Sequence, residues 1–211
     1  MTRLGRPPAT DSAITKRRIL REARYCFGIY GYDATTNKMV AERAELTTTA
    51  IYHYFGSKRD LFLAVHRETS EEVFGRMRDA VRAADTFLNK VNAMLQVAND
   101  VFATDADMAA FVGTDRTEAR RHAELAEILE DRSLPELVRE VVEAGVGTGE
   151  IARSDAFAVR GLLVAVMLGM TQLSSEISLS AHRKYINAFK QLFAGDLVEH
   201  APPPLVRTAR E

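Results

Sequence analysis

The sequence predicts an all-α protein, with a small three-helix N-terminal unit followed by a larger helical body. Two observations carry this. Apolar residues recur at the three-and-four spacing of helices along nearly the whole chain. Strand signals are missing, with no sustained alternation of apolar and polar residues and no Asn-Gly or Asp-Gly hairpin turn. At 211 residues and 46% hydrophobic, the chain suffices for one small and one medium domain.

The first helix carries Ile19, Leu20, Ala23, Phe27 and Tyr30 at helical spacing, with Arg17, Arg21 and Arg24 elsewhere on its wheel. Gly31-Tyr32-Asp33 ends it, because glycine tolerates the left-handed backbone that helix ends favour. Thr35 or Thr36 caps a short second helix through Arg43, and Thr47 caps a third to about Phe55. Ser57-Lys58-Arg59-Asp60 has the form of a capping box and opens a long helix to about Val81. Asp85 starts the next, carrying Phe87, Leu88, Val91, Met94, Leu95, Ala98 and Phe102. Short helical pieces follow near 107–112, 117–130 and 135–144. Gly145 to Gly149 is the clearest break in the C-terminal half; no strand precedes it and no Lys-Ser/Thr follows, so it is not a phosphate loop. Helices over about 155–179 and 182–198 come last. The expected division is 12–58 for the first domain and 59–199 for the second, with flexible termini at 1–11 and 200–211.

Charge sharpens the division. Residues 1–60 hold eleven Lys and Arg against six Asp and Glu, whereas the remainder holds 17 against 23. A near-neutral total of −1 therefore conceals a basic head on an acidic body. Basic segments gain affinity for polyanions by counterion release, although solvated faces alone produce such an imbalance about as often. The longest uninterrupted apolar run, Leu162 to Met170, is nine residues counting Gly169, whereas a bilayer span needs roughly 20. No membrane partner is expected. The first ten residues have no apolar core of a secretory signal, and the single Cys26 cannot form an intramolecular disulfide. A reduced, cytoplasmic protein is expected, without cofactor or metal. No Ser/His/Asp, paired-carboxylate or metal-ligand constellation is readable, so no catalytic residue is assigned and an enzyme is not expected.

Residues 36–55 have helix-turn-helix geometry. Met39, Val40 and Ala44 give the second helix an inward face, Leu46 fills the turn, and Ile51 and Phe55 anchor the third helix. The outer face of the third helix then carries Thr47, Thr48, Thr49, Tyr52 and His53. These hydrogen-bonding side chains suit phosphate oxygens and base edges in a major groove.

The stretch Ala34-Thr35-Thr36, Val40-Ala41, Ile51-Tyr52-His53-Tyr54-Phe55, Ser57-Lys58 and Leu61 resembles the DNA-binding domain of the TetR family. The match is specific over about residues 14–62; the remainder resembles the family in layout only. The resemblance implies a homodimeric regulator, usually a repressor, released from a palindromic operator in double-stranded DNA by a small-molecule effector. It places Thr36 and Asn37 at phosphate contacts and Lys38 at a base-reading position. It places Thr48 and Thr49 at the base-reading positions of the recognition helix, with Thr47 at its cap. Tyr52, His53 and Lys58 fall at phosphate contacts; Tyr52 also suits a half-buried ring that holds the helix, the two roles being compatible, and the weaker alternative for His53 is a plain surface histidine. Two residues depart from the pattern: Glu45 replaces the turn glycine, at a cost of about 1 kcal/mol in a left-handed conformation, and Thr49 replaces a small residue. Gly5-Arg6-Pro7-Pro8 is either a basic arm for the minor groove or a plain unstructured terminus.

In the body, Phe157 to Leu173 is apolar nearly all round, as in a helix buried on more than one side. Gly161, Ala165 and Gly169 recur every four residues and form a smooth ridge. It is either a seam between subunits or a close crossing within one chain. Tyr185, Ile186, Phe189, Leu192 and Phe193 add a second apolar stripe, with Phe189 assigned to the same interface. Phe74, Met77, Met94, Phe102, Phe111, Met167 and Met170, with Phe87 and Met108, either line a cavity for a hydrophobic effector or are core. Asp115, Arg116 and His122 are candidate polar groups for it. The alternative function is a DNA-binding activator or architectural protein without an effector.

Overall fold

The computed structural model describes residues 9–173 and 177–195, and the proposed arm at 5–8 and the tail at 200–211 lie outside them. Nine α-helices and one 3-10 helix account for the described fold, and no strand occurs among those residues. Helix α1 (Ala9–Ala34) begins inside the stretch expected to be unstructured, because neither glycine nor proline separates Ala9 from Ser12. Gly31 breaks its ladder at φ 75° and ψ 178°, and one further helical turn follows to Ala34.

The next three helices start where their caps predict. For α2 (Asn37–Arg43), Thr36 Oγ1 accepts from Met39 N at 3.2 Å; for α3 (Thr48–Phe55), Thr47 Oγ1 accepts from Ala50 N at 3.2 Å. Ser57 Oγ accepts from Asp60 N at 3.0 Å and opens α4 (Lys58–Arg82).

Glu45, between α2 and α3, has φ 54°, the one positive φ outside glycine among the described residues. The strain expected of this residue is therefore present. Glu45→Gly should stabilise the fold by about 0.5–1 kcal/mol, or roughly 1–4 °C in Tm by differential scanning calorimetry. A lower Tm would show that the turn holds glutamate without strain.

The body departs from expectation at several boundaries. Thr86, not Asp85, caps α5 (Phe87–Thr104); the Asp85 carboxylate instead accepts from Thr86 N and Asn89 Nδ2, each at 2.8 Å. The pieces expected near 107–112 and 117–130 are one continuous helix, α6 (Ala106–Arg121), followed by a 3-10 helix (Ala123–Glu130). The Thr114 hydroxyl within α6 donates back to the Ala110 carbonyl at 3.0 Å, and Asp105 caps the start of the helix. Helix α7 (Ser133–Thr148) runs through Gly145 and Gly147 and stops only at Gly149, φ 79°. Gly145 is needed for close approach: a Cβ there would lie 3.0–3.1 Å from Ile151 and Phe87. Helix α8 (Ala156–Leu173) is shorter than expected and α9 (Leu179–Ala194) starts earlier, because Ser178 caps α9 and left-handed Gly195 closes it.

Two hydrophobic clusters organise the molecule. The first joins α1–α3 to the start of α4, Phe111 and Ala119 of α6, and Leu125 and Ile128. The N-terminal unit thus shares a hydrophobic core with the body. Arg24 adds a 3.0 Å ion pair to the cap residue Asp105. The second cluster lies among α4, α5, α7, α8 and α9, with Met108 of α6.

Candidate functional site

The α2–α3 pair presents its third helix outward because its inner face is spent on core. Val40, Ala44 and Ile51 are wholly buried and Phe55 nearly so, whereas Thr47, Thr49, Tyr52 and His53 are exposed and Thr48 is half-exposed. Tyr52 is 53% exposed, so about half of its ring packs against the protein while the rest faces outward. Thr36 and Lys38 are also exposed; Lys38 makes only a 3.8 Å pair with Glu42.

Two assignments change. Asn37 is 7% exposed and its Oδ1 is buried, so it does not lie on the phosphate-facing surface. The reason was in the sequence: Asn37, Val40, Ala41 and Ala44 share one helical face, and Met39, expected inward, sits half-exposed beside it. Lys58 is already engaged. Its Nζ donates to the carbonyls of Tyr32 at 2.9 Å and Asp33 at 3.4 Å, and lies 4.3 Å from the Tyr32 ring centroid. It ties the end of α1 to the start of α4, and only its remaining donor capacity can serve a phosphate.

Helix α4 leads from this surface into the body. His66, Thr69, Ser70, Val73 and Met77 fall on one face of it and line a cavity of about 170 Å³, closed on other sides by α5, α6, α7, α8 and α9. The assigned residues Phe74, Met77, Phe102, Met167 and Met170 line this cavity, as do Asp115 and Arg116. Met94 does not; it borders a separate void of about 10 Å³ beside Val91 and Phe189. Phe111 is wholly buried in the first cluster, 5.2 Å from the Phe62 ring, so it is core. Phe87 and Met108 are also buried outside the cavity. His122 lies elsewhere, between Asp33 at 3.4 Å and Glu118 at 3.3 Å, against the Tyr32 ring.

The cavity also has a polar wall that periodicity did not reveal. His66 Nδ1 bonds Asp115 at 2.8 Å and its Nε2 lies 3.3 Å from Asp131, which in turn accepts from Ser70 at 2.7 Å. Burial alone would depress the His66 pKa. The hydrogen bonds to Asp115 and Asp131, and their charges, outweigh burial and hold it up at about 9, so the imidazolium is charged at neutral pH. Its hydrogen bond to Asp131 holds that carboxyl well below the usual range, against the effect of burial. His182 has no such partner, and burial pushes its pKa down.

The outer face of α8 and α9 is open. Gly161, Ala165 and Gly169 are exposed, and a Cβ at either glycine would meet nothing. The ridge is therefore not a close crossing within the chain. Phe157 is 81% exposed, with Leu162, Tyr185 and Leu192 about half exposed on the same pair of helices. Phe189 is partly buried against the second cluster, its ring 5.6 Å from that of Phe193. By length and composition α8 would also suffice to cross a membrane, which the nine-residue run did not suggest. It is nonetheless tied into the second cluster through Ala156, Leu163 and Met167, all buried.

A family model for bacterial regulatory proteins of the tetR family matches residues 19–65. The HTH-type transcriptional repressor Rv1474c of Mycobacterium tuberculosis is 34% identical over 129 residues, covering 57% of this chain and 65% of its own. The HTH-type transcriptional repressor AcnR of Corynebacterium diphtheriae is 29% identical over 139 residues, covering 62% and 67%. Against the first of these relatives the match thus spans just under two thirds of its length. The transcriptional regulator FadR of Bacillus subtilis, solved in complex with stearoyl-CoA, has the same fold with a TM-score of 0.71 at 18% identity, over 86% of this chain and 99% of that one. Motif, caps and these likenesses together identify residues 19–65 as a DNA-binding region of the tetR-family type, and the helical body that follows shares the fold of TetR-like regulators.

Proposed function

We propose that this protein is a cytoplasmic, homodimeric, sequence-specific DNA-binding repressor, released from a palindromic operator when a small effector enters the cavity between α4 and α8. The observation that carries DNA binding is α3 itself: capped, anchored by buried Ile51 and Phe55, and exposing Thr49, Tyr52 and His53. Its threonines suit base edges and its aromatic and imidazole groups suit phosphate. The names of the relatives, both repressors, support the direction of regulation. The cavity favours effector control over an activator or architectural protein without an effector, because α4 lines it at Met77 and begins at Lys58 beside the DNA-binding unit. The open α8–α9 face supports a two-fold dimer, whose recognition helices would sit roughly 34–36 Å apart, one turn of DNA.

Selection of bound sequences from random duplex DNA tests this reading, with a palindrome as the expected result. On that operator, Thr49→Ala should relax preference at one base position, at a cost of about 1–3 kcal/mol. Lys58→Ala should weaken operator and random duplex alike and lower the salt slope by about one per subunit. If Thr49→Ala weakened both duplexes equally, base reading by α3 would be wrong. Unchanged affinity and slope for Lys58→Ala would leave Lys58 as a purely structural tie.

A further inference from the structure

The cavity carries more positive charge than its own residues neutralise. Two carboxylates line it, Asp115 and Asp131, and both lie against His66, at 2.8 and 3.3 Å. Two guanidinium groups also line it, Arg116 and Arg132, and neither forms an ion pair among the described residues. Arg132 is exposed to water, whereas Arg116 is only partly exposed and its Nε is buried. The Arg116 side chain makes one long bond, 3.5 Å from Nη1 to the Ile128 carbonyl, and its buried Nε has no acceptor. A guanidinium stays charged at every accessible pH, and leaving one of its donors dry and unpaired is costly. The missing partner is an anion, and of the two anions that the planar guanidinium fork pairs with bidentately the carboxylate is the smaller.

Along α4 the lining changes character, from His66, Thr69 and Ser70 to Val73, Phe74 and Met77. At 1.5 Å per residue, those eleven steps span roughly 16 Å, polar at one end and apolar at the other. Resting on the effector-controlled reading above, we propose that the cavity binds an amphipathic monocarboxylate, its carboxylate on Arg116 and its apolar body against Phe74, Met77 and Met167.

Size and polarity narrow the class. The space of about 170 Å³ is close to the ~150 Å³ apolar cavity known to hold benzene, so the body has on the order of ten non-hydrogen atoms. A cationic ligand would meet Arg116 while both carboxylates are held by His66. A pure hydrocarbon would leave Thr69 Oγ1 and His182 Nδ1, both buried and without partners, unsatisfied as well as Arg116.

The experiment is calorimetric titration of the full chain with octanoate and 3-phenylpropionate, set against octanamide and 3-phenylpropanamide. The acids should bind at least tenfold more tightly than the amides. Arg116→Gln, shown folded by circular dichroism, should weaken acid binding roughly ten- to a hundredfold, with Arg116→Lys between it and wild type. Amides binding as well as acids, or a folded Arg116→Gln binding acids at wild-type affinity, would overturn the proposal. If Arg116→Gln does not fold, the acid–amide comparison on the wild type decides. Gel retardation of the selected operator separates this proposal from the broader one. Intact operator binding with no acid binding overturns the monocarboxylate and leaves the repressor standing. Acid binding that leaves operator affinity unchanged keeps the ligand site and removes effector release.

Discussion

Ala165→Glu is expected to yield a folded monomer that no longer holds its operator. Ala165 is exposed in the single chain, and its neighbours Gly161 and Gly169 have open space around them. A glutamate there disturbs nothing within the protomer. Across a two-fold seam it would bury an unpaired carboxylate in each subunit and hold the α8 helices apart, at a cost of several kcal/mol. That corresponds to roughly a thousandfold weaker dimerisation. Operator binding should fall with it, since one recognition helix reads too few base pairs to select one site among a genome's competitors. Sedimentation, circular dichroism and gel retardation on one sample decide the matter. A folded dimer of wild-type affinity would place the seam elsewhere, and a wild-type monomer on a single half-site would overturn the dimer.

Phe62→Ala should cost about 3–5 kcal/mol of stability, the range for emptying a buried aromatic site. Phe62 is 1% exposed and its ring lies 4.7 Å from that of Phe27, 5.2 Å from Tyr32 and 5.2 Å from Phe111. These partners come from α1 and α6, so the ring joins the DNA-binding unit to the body. With domain stabilities of about 5–15 kcal/mol, such a loss approaches the threshold for folding. Because the two units share this core, urea unfolding followed by far-ultraviolet circular dichroism should remain a single transition shifted to lower urea. A cost below about 1 kcal/mol would mean that the cluster collapses around the gap. Two separated transitions would mean that the units fold independently.

The polar junction beside that core is consistent with one coupled unit. Tyr32 donates to Glu124, and burial, then this bond, holds its hydroxyl well above the usual phenol range. Arg59 reaches the Glu124 carbonyl at 2.8 Å and the Glu127 carboxylate at 3.1 Å. None of these long-range partners is near in sequence.

By itself the sequence determined the all-helical fold, the caps at Thr47 and Ser57, a cap at Thr35 or Thr36, the strained Glu45 and the outward face of α3. Each rests on residues within about four positions of one another, and one helical turn is the reach of caps and helical spacing. The inward turn of Asn37 was equally local and went unread. Tertiary structure alone decided what each apolar face is for. Periodicity marks Met94, Phe111, Met167 and Ala165 alike as apolar stripe, but packing makes them void edge, core, cavity wall and open ridge. The polar wall was hidden for the same reason: His66 and Asp115 lie on two separate helices and Asp131 on the loop before α7, and their chemistry exists only once the chain brings them within 3.3 Å.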